Sequence, residues 1–164
     1  MRTLGFSTPR LRTGDWRTAT PSALAAIFAP DVIRALPPEF HSADDDSTRR
    51  SVLIALEDEA TVLGLFDSQS AMNGLLILSP EISDSGTILH LGYLLAQNCW
   101  GQGLAGEMLT GLQEAARMEP TLWALSGGVA LDNPASARVL ERAGFQRQSV
   151  EDGVATYLWI NVPA

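Results

Sequence analysis

The most constraining feature of the sequence is a glycine-rich turn between an apolar strand and an amphipathic helix. The strand is predicted over residues 87–95 and the helix over residues 103–118. Between them, Gly101 and Gly103 can adopt positive φ and allow the backbone to approach a ligand closely. The helix N-terminus adds free N–H groups and a partial positive charge, which suits a pyrophosphate. The turn matches neither a Walker loop nor a GxGxxG motif, so a plain strand-to-helix turn is the alternative.

A second motif opens a short helix further along the chain. It reads Asn133-Pro134-Ala135-Ser136 at its start and Gly144-Phe145 at its end, with the helix predicted over residues 134–143. Asn133 is a favourable N-cap, and Gly144 suits the left-handed position that ends many helices. The predicted buried seam is Ala135, Val139 and Ala143. On these local grounds alone, Asn133 is a helix cap and Ser136 is a first-turn residue.

The whole pattern predicts helices that alternate with strands in one domain over residues 1–164. Strands are predicted over residues 8–13, 60–66, 73–79, 87–95, 122–130 and 154–160. Helices are predicted over residues 21–29, from 44–47 to about 58, and over 103–118 and 134–143. A polar turn between the second and third strands predicts a hairpin. This interleaving indicates an α/β or α+β fold built on a mixed sheet.

The charge balance and the cysteine content exclude several classes of function. The chain has 11 Lys and Arg against 19 Asp and Glu, a formal net charge of −8, which argues against a nucleic-acid partner. An acidic surface favours a cationic partner such as an amine or a basic peptide. Cys99 is the only cysteine, so neither an internal disulfide nor a zinc site is predicted. With no leader-like or membrane-spanning apolar run, we expect a cytoplasmic protein without a membrane partner.

Taken together, the two motifs resemble those of the GNAT superfamily of N-acetyltransferases, in particular its RimJ/RimL-type branch. The superfamily signature Gln/Arg-x-x-Gly-x-Gly/Ala falls on Trp100–Ala105, with Trp in the first position, as the branch often has it. The branch's Asn-Pro-Ala-Ser and Gly-Phe are also present. Further matches are Thr8-Pro9-Arg10-Leu11 and Leu91-Gly92-Tyr93. The resemblance spans nearly the whole chain and is strongest from about residue 88 to residue 145.

The resemblance implies a mixed, mostly antiparallel sheet flanked by helices, in which a bulge splays the fourth strand from the fifth to form a cleft. Acetyl-CoA is the implied co-substrate, with its pantetheine arm in that cleft. The arm would pair with backbone groups of Tyr93, Leu94 and Leu95. The pyrophosphate would lie on the amides of Trp100, Gly101, Gln102, Gly103, Leu104 and Ala105. Asn133 would contact the CoA arm through its side chain.

The implied reaction is transfer of the acetyl group to a primary amine by direct attack in a ternary complex. The superfamily's usual general acid, a Tyr seven residues after the Asn, falls on Leu140, so Ser136 is expected to donate to the leaving sulfur. A backbone N–H near Leu95 is the expected oxyanion donor. His90 is the expected base, since imidazole titrates near neutral pH. Weaker candidates for the base are His41, Glu81 and Asp84.

The acceptor amine stays open. An α-amine with a pKa of about 7.8 is partly neutral at physiological pH, whereas a lysine amine near 10.4 is almost wholly charged. A site without a strong base therefore favours an α-amine or another amine of low pKa, on a protein N-terminus or a small molecule. Antibiotics, polyamines, amino acids and ribosomal proteins all stay open as acceptors. Two other readings compete, a non-catalytic CoA-binding sensor and a nucleotide-binding domain of another fold. Whether two copies pair as a homodimer is also open.

Overall fold

The computed structural model describes residues 4–163, and its sheet has the strand order β1-β2-β3-β4-β5-β7-β6. The strands are β1 (Arg12–Gly14), β2 (Thr61–Phe66), β3 (Met72–Ser83), β4 (Gly86–Leu95), β5 (Leu122–Ala130), β6 (Gln146–Glu151) and β7 (Val154–Ile160). The helices are α1 (Pro21–Ile27), α2 (Pro38–His41), α3 (Asp46–Leu56), α4 (Leu104–Arg117) and α5 (Pro134–Arg142), with 3-10 turns at Trp16–Thr18 and Gln97–Cys99. Neighbouring strands run antiparallel except β4 and β5, which are parallel. The predicted mixed, mostly antiparallel fold is confirmed.

Local capping signals place the main helices. The Thr20 hydroxyl accepts a hydrogen bond from the Ala23 amide, and the Asp45 carboxylate accepts one from the Thr48 amide. Each side chain satisfies one of the N–H groups that a helix start leaves without a partner. α4 packs its apolar face into the core, where Met108, Leu109 and Leu112 are completely buried.

In the described part of the chain, no helix is both long and apolar enough to cross a membrane.

Two local predictions were wrong, and two elements were not predicted. β1 is shorter than the predicted strand over residues 8–13, because Thr8 and Leu11 close a turn instead. α2 begins at Pro38, directly after Pro37, and lasts only four residues in a stretch where no helix was predicted. β6 was missed because every one of its residues is exposed. In α5 the buried residue is Leu140 rather than Ala135, which is exposed. Leu140 packs on β5, where a Cβ added to Gly127 would lie 3.2 Å from its Cδ1.

The parallel pair β4–β5 is joined over only part of its length. Pairing runs from Thr87 with Leu122 to Leu91 with Gly127, and it stops there although both strands continue. Beyond this point the two strands no longer pair with each other, and the opening between them is called the β4–β5 gap. It is bordered by Gly92–Leu95 of β4 and residues 128–130 of β5. A register shift is present, but it lies between Thr87 and Ile88, at the opposite end of the paired segment. The strands therefore part by loss of pairing, and the expectation that a bulge separates them was wrong.

Candidate active site

The end of β4 turns alternate backbone groups toward the β4–β5 gap. The Ala96 amide donates to the Asn73 carbonyl at 2.8 Å, which extends the regular β3–β4 ladder by one residue. In an antiparallel ladder, successive residues point their N–H and C=O groups to opposite sides. The backbone N–H and C=O groups of Leu94 therefore point toward β3, whereas those of Tyr93 and Leu95 point toward the gap. Of the residues expected to pair with the CoA arm, Leu94 has its backbone groups committed to the sheet.

One of these gap-facing groups already has a partner. The indole N–H of Trp100 donates to the Leu95 carbonyl at 2.8 Å. This contact ties the loop that follows β4 to the end of the strand, and it gives Trp100 a structural role at the first position of the signature. The groups left facing the gap are the N–H and C=O of Tyr93 and the N–H of Leu95.

The loop before α4 presents a run of unpaired backbone amides. Among residues 4–163, no acceptor is found for the N–H groups of residues 101–106, whereas the next amide, of Glu107, donates to the Gly103 carbonyl at 3.1 Å. The Trp100 amide donates to Gln97, so the free run begins one residue later than expected and extends to Gly106. An anion is the natural partner for such a run at a helix N-terminus.

Two glycines give the loop its shape. Gly101 has φ 73° and Gly103 has φ 77°, values in the left-handed region that residues with a side chain rarely adopt. Gly103 is the N-cap of α4 and offers no side chain to occupy the free amides. The added Cβ of Gly101 or Gly106 would meet no atom within 4 Å, so the surface above the amides is open. The loop and the neighbouring gap fit a pyrophosphate followed by an extended arm.

An ion pair between Arg10 and Glu107, which no spacing in the sequence predicts, lies beside this loop. Arg10 donates from Nε to the Glu107 carboxylate at 2.8 Å and from Nη1 to the Gln102 carbonyl at 2.9 Å. The Arg10 amide and the Thr8 hydroxyl donate to the other carboxylate oxygen. The only signal in the sequence was the Thr8–Leu11 match to the branch, and these contacts join residues far apart in the chain.

Tyr93 and Ser136 meet where the paired part of the two strands ends. Their hydroxyl oxygens lie 3.1 Å apart, which links β4 to the first turn of α5. Burial raises the pKa of the Tyr93 phenol, and the hydrogen bond with Ser136 only partly opposes that shift. Tyr93 is therefore a neutral hydroxyl at physiological pH, able to donate or accept. Leu140, at the superfamily's usual general-acid position, is buried and carries no donor.

Asn133 acts as the N-cap of α5. Its side-chain oxygen accepts a hydrogen bond from the Ser136 amide at 3.3 Å, as its sequence position predicted. Its side-chain NH₂ has no acceptor within residues 4–163. Because the residue is exposed, that NH₂ can still donate to a ligand. Capping the helix and contacting the CoA arm are therefore compatible.

His90 lies on β4 but on the other face of the sheet. Successive residues of a strand alternate between faces, so His90 points away from the side that holds Tyr93 and Ser136. Its Nε2 lies 2.5 Å from the Glu81 carboxylate on β3, and both side chains are about half exposed. The structure thus joins His90 to Glu81 and does not bring it to Ser136. His41 instead contacts the Leu36 carbonyl at 3.1 Å.

These features suit a class of protein that would bind a pyrophosphate at a helix N-terminus and an extended ligand along a strand edge. The sequence profile of the acetyltransferase (GNAT) domain family matches residues 11–146. The chain belongs to this family of acetyltransferases, whose co-substrate is acetyl-CoA. A comparison with curated protein sequences gave no match.

Solved structures share the fold over almost the full chain. A GNAT-family acetyltransferase from Bacillus anthracis has a TM-score of 0.76 at 13% identity, covering 96% of this chain and 98% of its own. RimL, a ribosomal L7/L12 α-N-protein acetyltransferase in complex with coenzyme A, has 0.69 at 19% identity, covering 95% and 97%. The microcin C7 self-immunity acetyltransferase MccE, with acetyl-CoA and AMP, has 0.71 at 14%, covering 93% of each chain.

Proposed function

We propose that the protein transfers the acetyl group of acetyl-CoA to a primary amine, with the β4–β5 gap as the reaction site. The observation that carries the proposal is the Tyr93–Ser136 hydroxyl pair, which lies beside the gap while the free amides of residues 101–106 follow the same strand. A donor for the leaving group and a cradle for the cofactor phosphates are thus parts of one continuous surface.

The residues that would hold acetyl-CoA follow from the free groups. The amides of residues 101–106 would receive the pyrophosphate, and the gap-facing groups of Tyr93 and Leu95 would pair with the pantetheine amides. The Asn133 side-chain NH₂ would contact the same arm. When bound, acetyl-CoA supplies the activated acetyl thioester. The pantetheine arm and the acetyl oxygen cannot share one N–H, so whichever of the Tyr93 and Leu95 N–H groups the arm leaves free is the backbone donor for negative charge on the acetyl oxygen.

Ser136 and Tyr93 would deliver the proton that the leaving sulfur needs. A serine hydroxyl is a weak acid, so Ser136 acts as a hydrogen-bond donor that passes on a proton rather than as a strong acid. The neutral Tyr93 hydroxyl, 3.1 Å away, orients it and can replace the proton that it gives up. This arrangement supplies the function that Leu140 cannot.

His90 would take the proton of the acceptor amine, with Glu81 holding its ring. A carboxylate that accepts a hydrogen bond from one ring nitrogen fixes the orientation of a histidine base. With His90 as the base, the acceptor would reach the β4–β5 gap from the face opposite Ser136, while the leaving thiol would lie on the Ser136 side. The acceptor that suits this arrangement is a protein or peptide α-amine, or a small-molecule amine of low pKa. We expect the reaction to take place in the cytoplasm, where Cys99 stays a free thiol.

Release of free CoA thiol from acetyl-CoA, measured with a panel of amines, tests the proposal. The panel contains peptides with a free α-amine, the same peptides blocked at the α-amine but carrying lysine, and polyamines. We expect turnover with free α-amines and little with the blocked lysine peptides near neutral pH. Binding of acetyl-CoA without turnover on any amine would indicate the non-catalytic sensor. Stabilisation of the protein against thermal unfolding by ATP or NAD, but not by acetyl-CoA, would indicate another class of nucleotide-binding protein.

A further inference from the structure

Glu107 places a negative charge next to the predicted phosphate site. It lies in the first turn of α4, immediately after the free amides of residues 101–106. Burial raises the pKa of its carboxyl, but the hydrogen bonds from Thr8 and Arg10 outweigh burial and hold that pKa below its usual value. Glu107 is therefore ionised at neutral pH. Such a charge stabilises a helix start but repels a bound pyrophosphate.

Arg10 is placed to offset that charge at the loop itself. Its guanidinium spans from the Glu107 carboxylate to the Gln102 carbonyl, so two of its three nitrogens are held. The third, Nη2, has no acceptor within residues 4–163 and lies 3.7 Å from the position that a Cβ on Gly103 would occupy. A planar guanidinium fixed in this way presents its remaining N–H groups in a defined direction. Nη2 therefore lies beside Gly103, whose amide is one of the free N–H groups of residues 101–106.

We propose that Arg10 is a pyrophosphate-binding residue, held by Glu107 and Gln102 so that its Nη2 group donates to the ligand. The inference rests on the proposed use of acetyl-CoA and extends it by assigning the cation of the site. Arg10 makes the loop selective for acyl carriers that bear a pyrophosphate, because the backbone amides alone carry no net charge to balance Glu107. Thr8 supports the arrangement through its own hydrogen bond to the Glu107 carboxylate.

Calorimetric titration of the full chain with CoA, dephospho-CoA and S-acetylpantetheine tests this assignment. Arg10→Ala should weaken CoA and dephospho-CoA alike, by about tenfold or more, as expected for loss of a charged hydrogen-bond donor. S-acetylpantetheine, which has no phosphate, should bind equally to both proteins. Arg12→Ala is the matched control, since Arg12 lies two residues further on, at the start of β1, and stacks on Phe66, 4.9 Å from its centroid. It should leave all three affinities unchanged.

Two further measurements separate binding from structural roles. Unfolding of each variant without ligand reports stability, and Arg10→Lys, which keeps the charge but loses the planar fork, should bind CoA with intermediate affinity. CoA affinity in Arg10→Ala equal to that in Arg12→Ala would overturn the proposal. So would an equal loss for S-acetylpantetheine, or a loss confined to CoA, which would point to its 3′-phosphate. Arg10-dependent binding without acetyl transfer would instead contradict only the proposed function.

Discussion

The hydroxyl oxygens of Tyr93 and Ser136 lie 3.1 Å apart. This contact joins β4, on one side of the β4–β5 gap, to α5, the helix that follows β5 on the other side. β4 and β5 are not paired beyond Leu91 and Gly127, so the contact is a direct link between the two sides where the sheet is open. A pair of neutral hydroxyls at such a point can both orient a ligand and pass a proton.

Replacing Ser136 with Ala should lower kcat by about a hundredfold, the scale of a lost proton donor. The Kd for acetyl-CoA should stay the same, because the amides of residues 101–106 are untouched. Steady-state thiol release together with calorimetric titration separates the two quantities. The control is Ser149→Ala on the exposed edge strand β6, which should change neither. A rise in Kd with unchanged kcat would assign Ser136 to binding.

His90→Gln should also lower kcat/KM near neutral pH by about a hundredfold, and the deficit should shrink as the pH rises. The reason is that the acceptor amine deprotonates on its own at high pH and no longer needs a base. A pH–rate profile of both proteins measures this. His41→Gln provides the comparison, because His41 contacts the Leu36 carbonyl and not the Glu81 carboxylate. Equal behaviour of the two variants would remove His90 from the reaction.

Gly103→Val should abolish the stabilisation that acetyl-CoA gives. Linkage predicts about 2.7 kcal/mol for the wild-type protein at a hundredfold excess over Kd, or a Tm rise of about 5–10 °C. Valine cannot hold the left-handed backbone of Gly103, so the free amides would turn away from the ligand.

Gly153→Val is the matched control for that loss. Gly153 has φ 75° in the turn between β6 and β7, where an added Cβ would meet no atom within 4 Å. Both variants should lose stability without ligand, by a similar backbone strain. Only Gly103→Val should lose the ligand-induced rise in Tm. If both variants keep the rise, the loop before α4 does not bind the cofactor.

Glu107 should make the stability of the fold depend on acid pH. Its pKa is lowered in the folded protein, so its ionised form stabilises the fold above the unfolded pKa. That contribution is lost as the pH falls through the folded pKa. The difference in unfolding free energy between wild type and Glu107→Gln should therefore shrink when urea titrations go from pH 7 toward pH 3. Glu114→Gln, on the exposed side of the same helix, is the control for removing one carboxylate from α4.

The sequence predicted most of the elements because their signals are local. Helix caps at Thr20 and Asp45, the glycine turn and the apolar strands can be recognised within a few neighbouring residues. β6 carries no such signal, since an edge strand with every residue exposed shows no alternation of apolar and polar positions. The seam of α5 was misjudged because burial of Leu140 depends on a glycine on β5, which the helix sequence does not reveal.

The candidate site was predictable only in part for the same reason. The glycine loop and the Asn133 motif could be found from their spacing, and the structure places both beside the β4–β5 gap. Arg10 contacts Gln102 and Glu107, residues more than ninety positions away, so no local pattern reveals this contact, and the Thr8–Leu11 match to the branch was the only signal. Similarly, only the paired strands show that Leu94 turns its backbone away from the gap while Tyr93 and Leu95 turn toward it.

The most direct test of acetyl transfer is mass spectrometry of a free α-amine peptide incubated with the protein and acetyl-CoA, with released thiol measured in the same sample. The account predicts one acetyl group added per thiol released, at the α-amine, with the rate strongly reduced in Ser136→Ala. Thiol release without acetylated peptide, or bound acetyl-CoA with neither product, would contradict it.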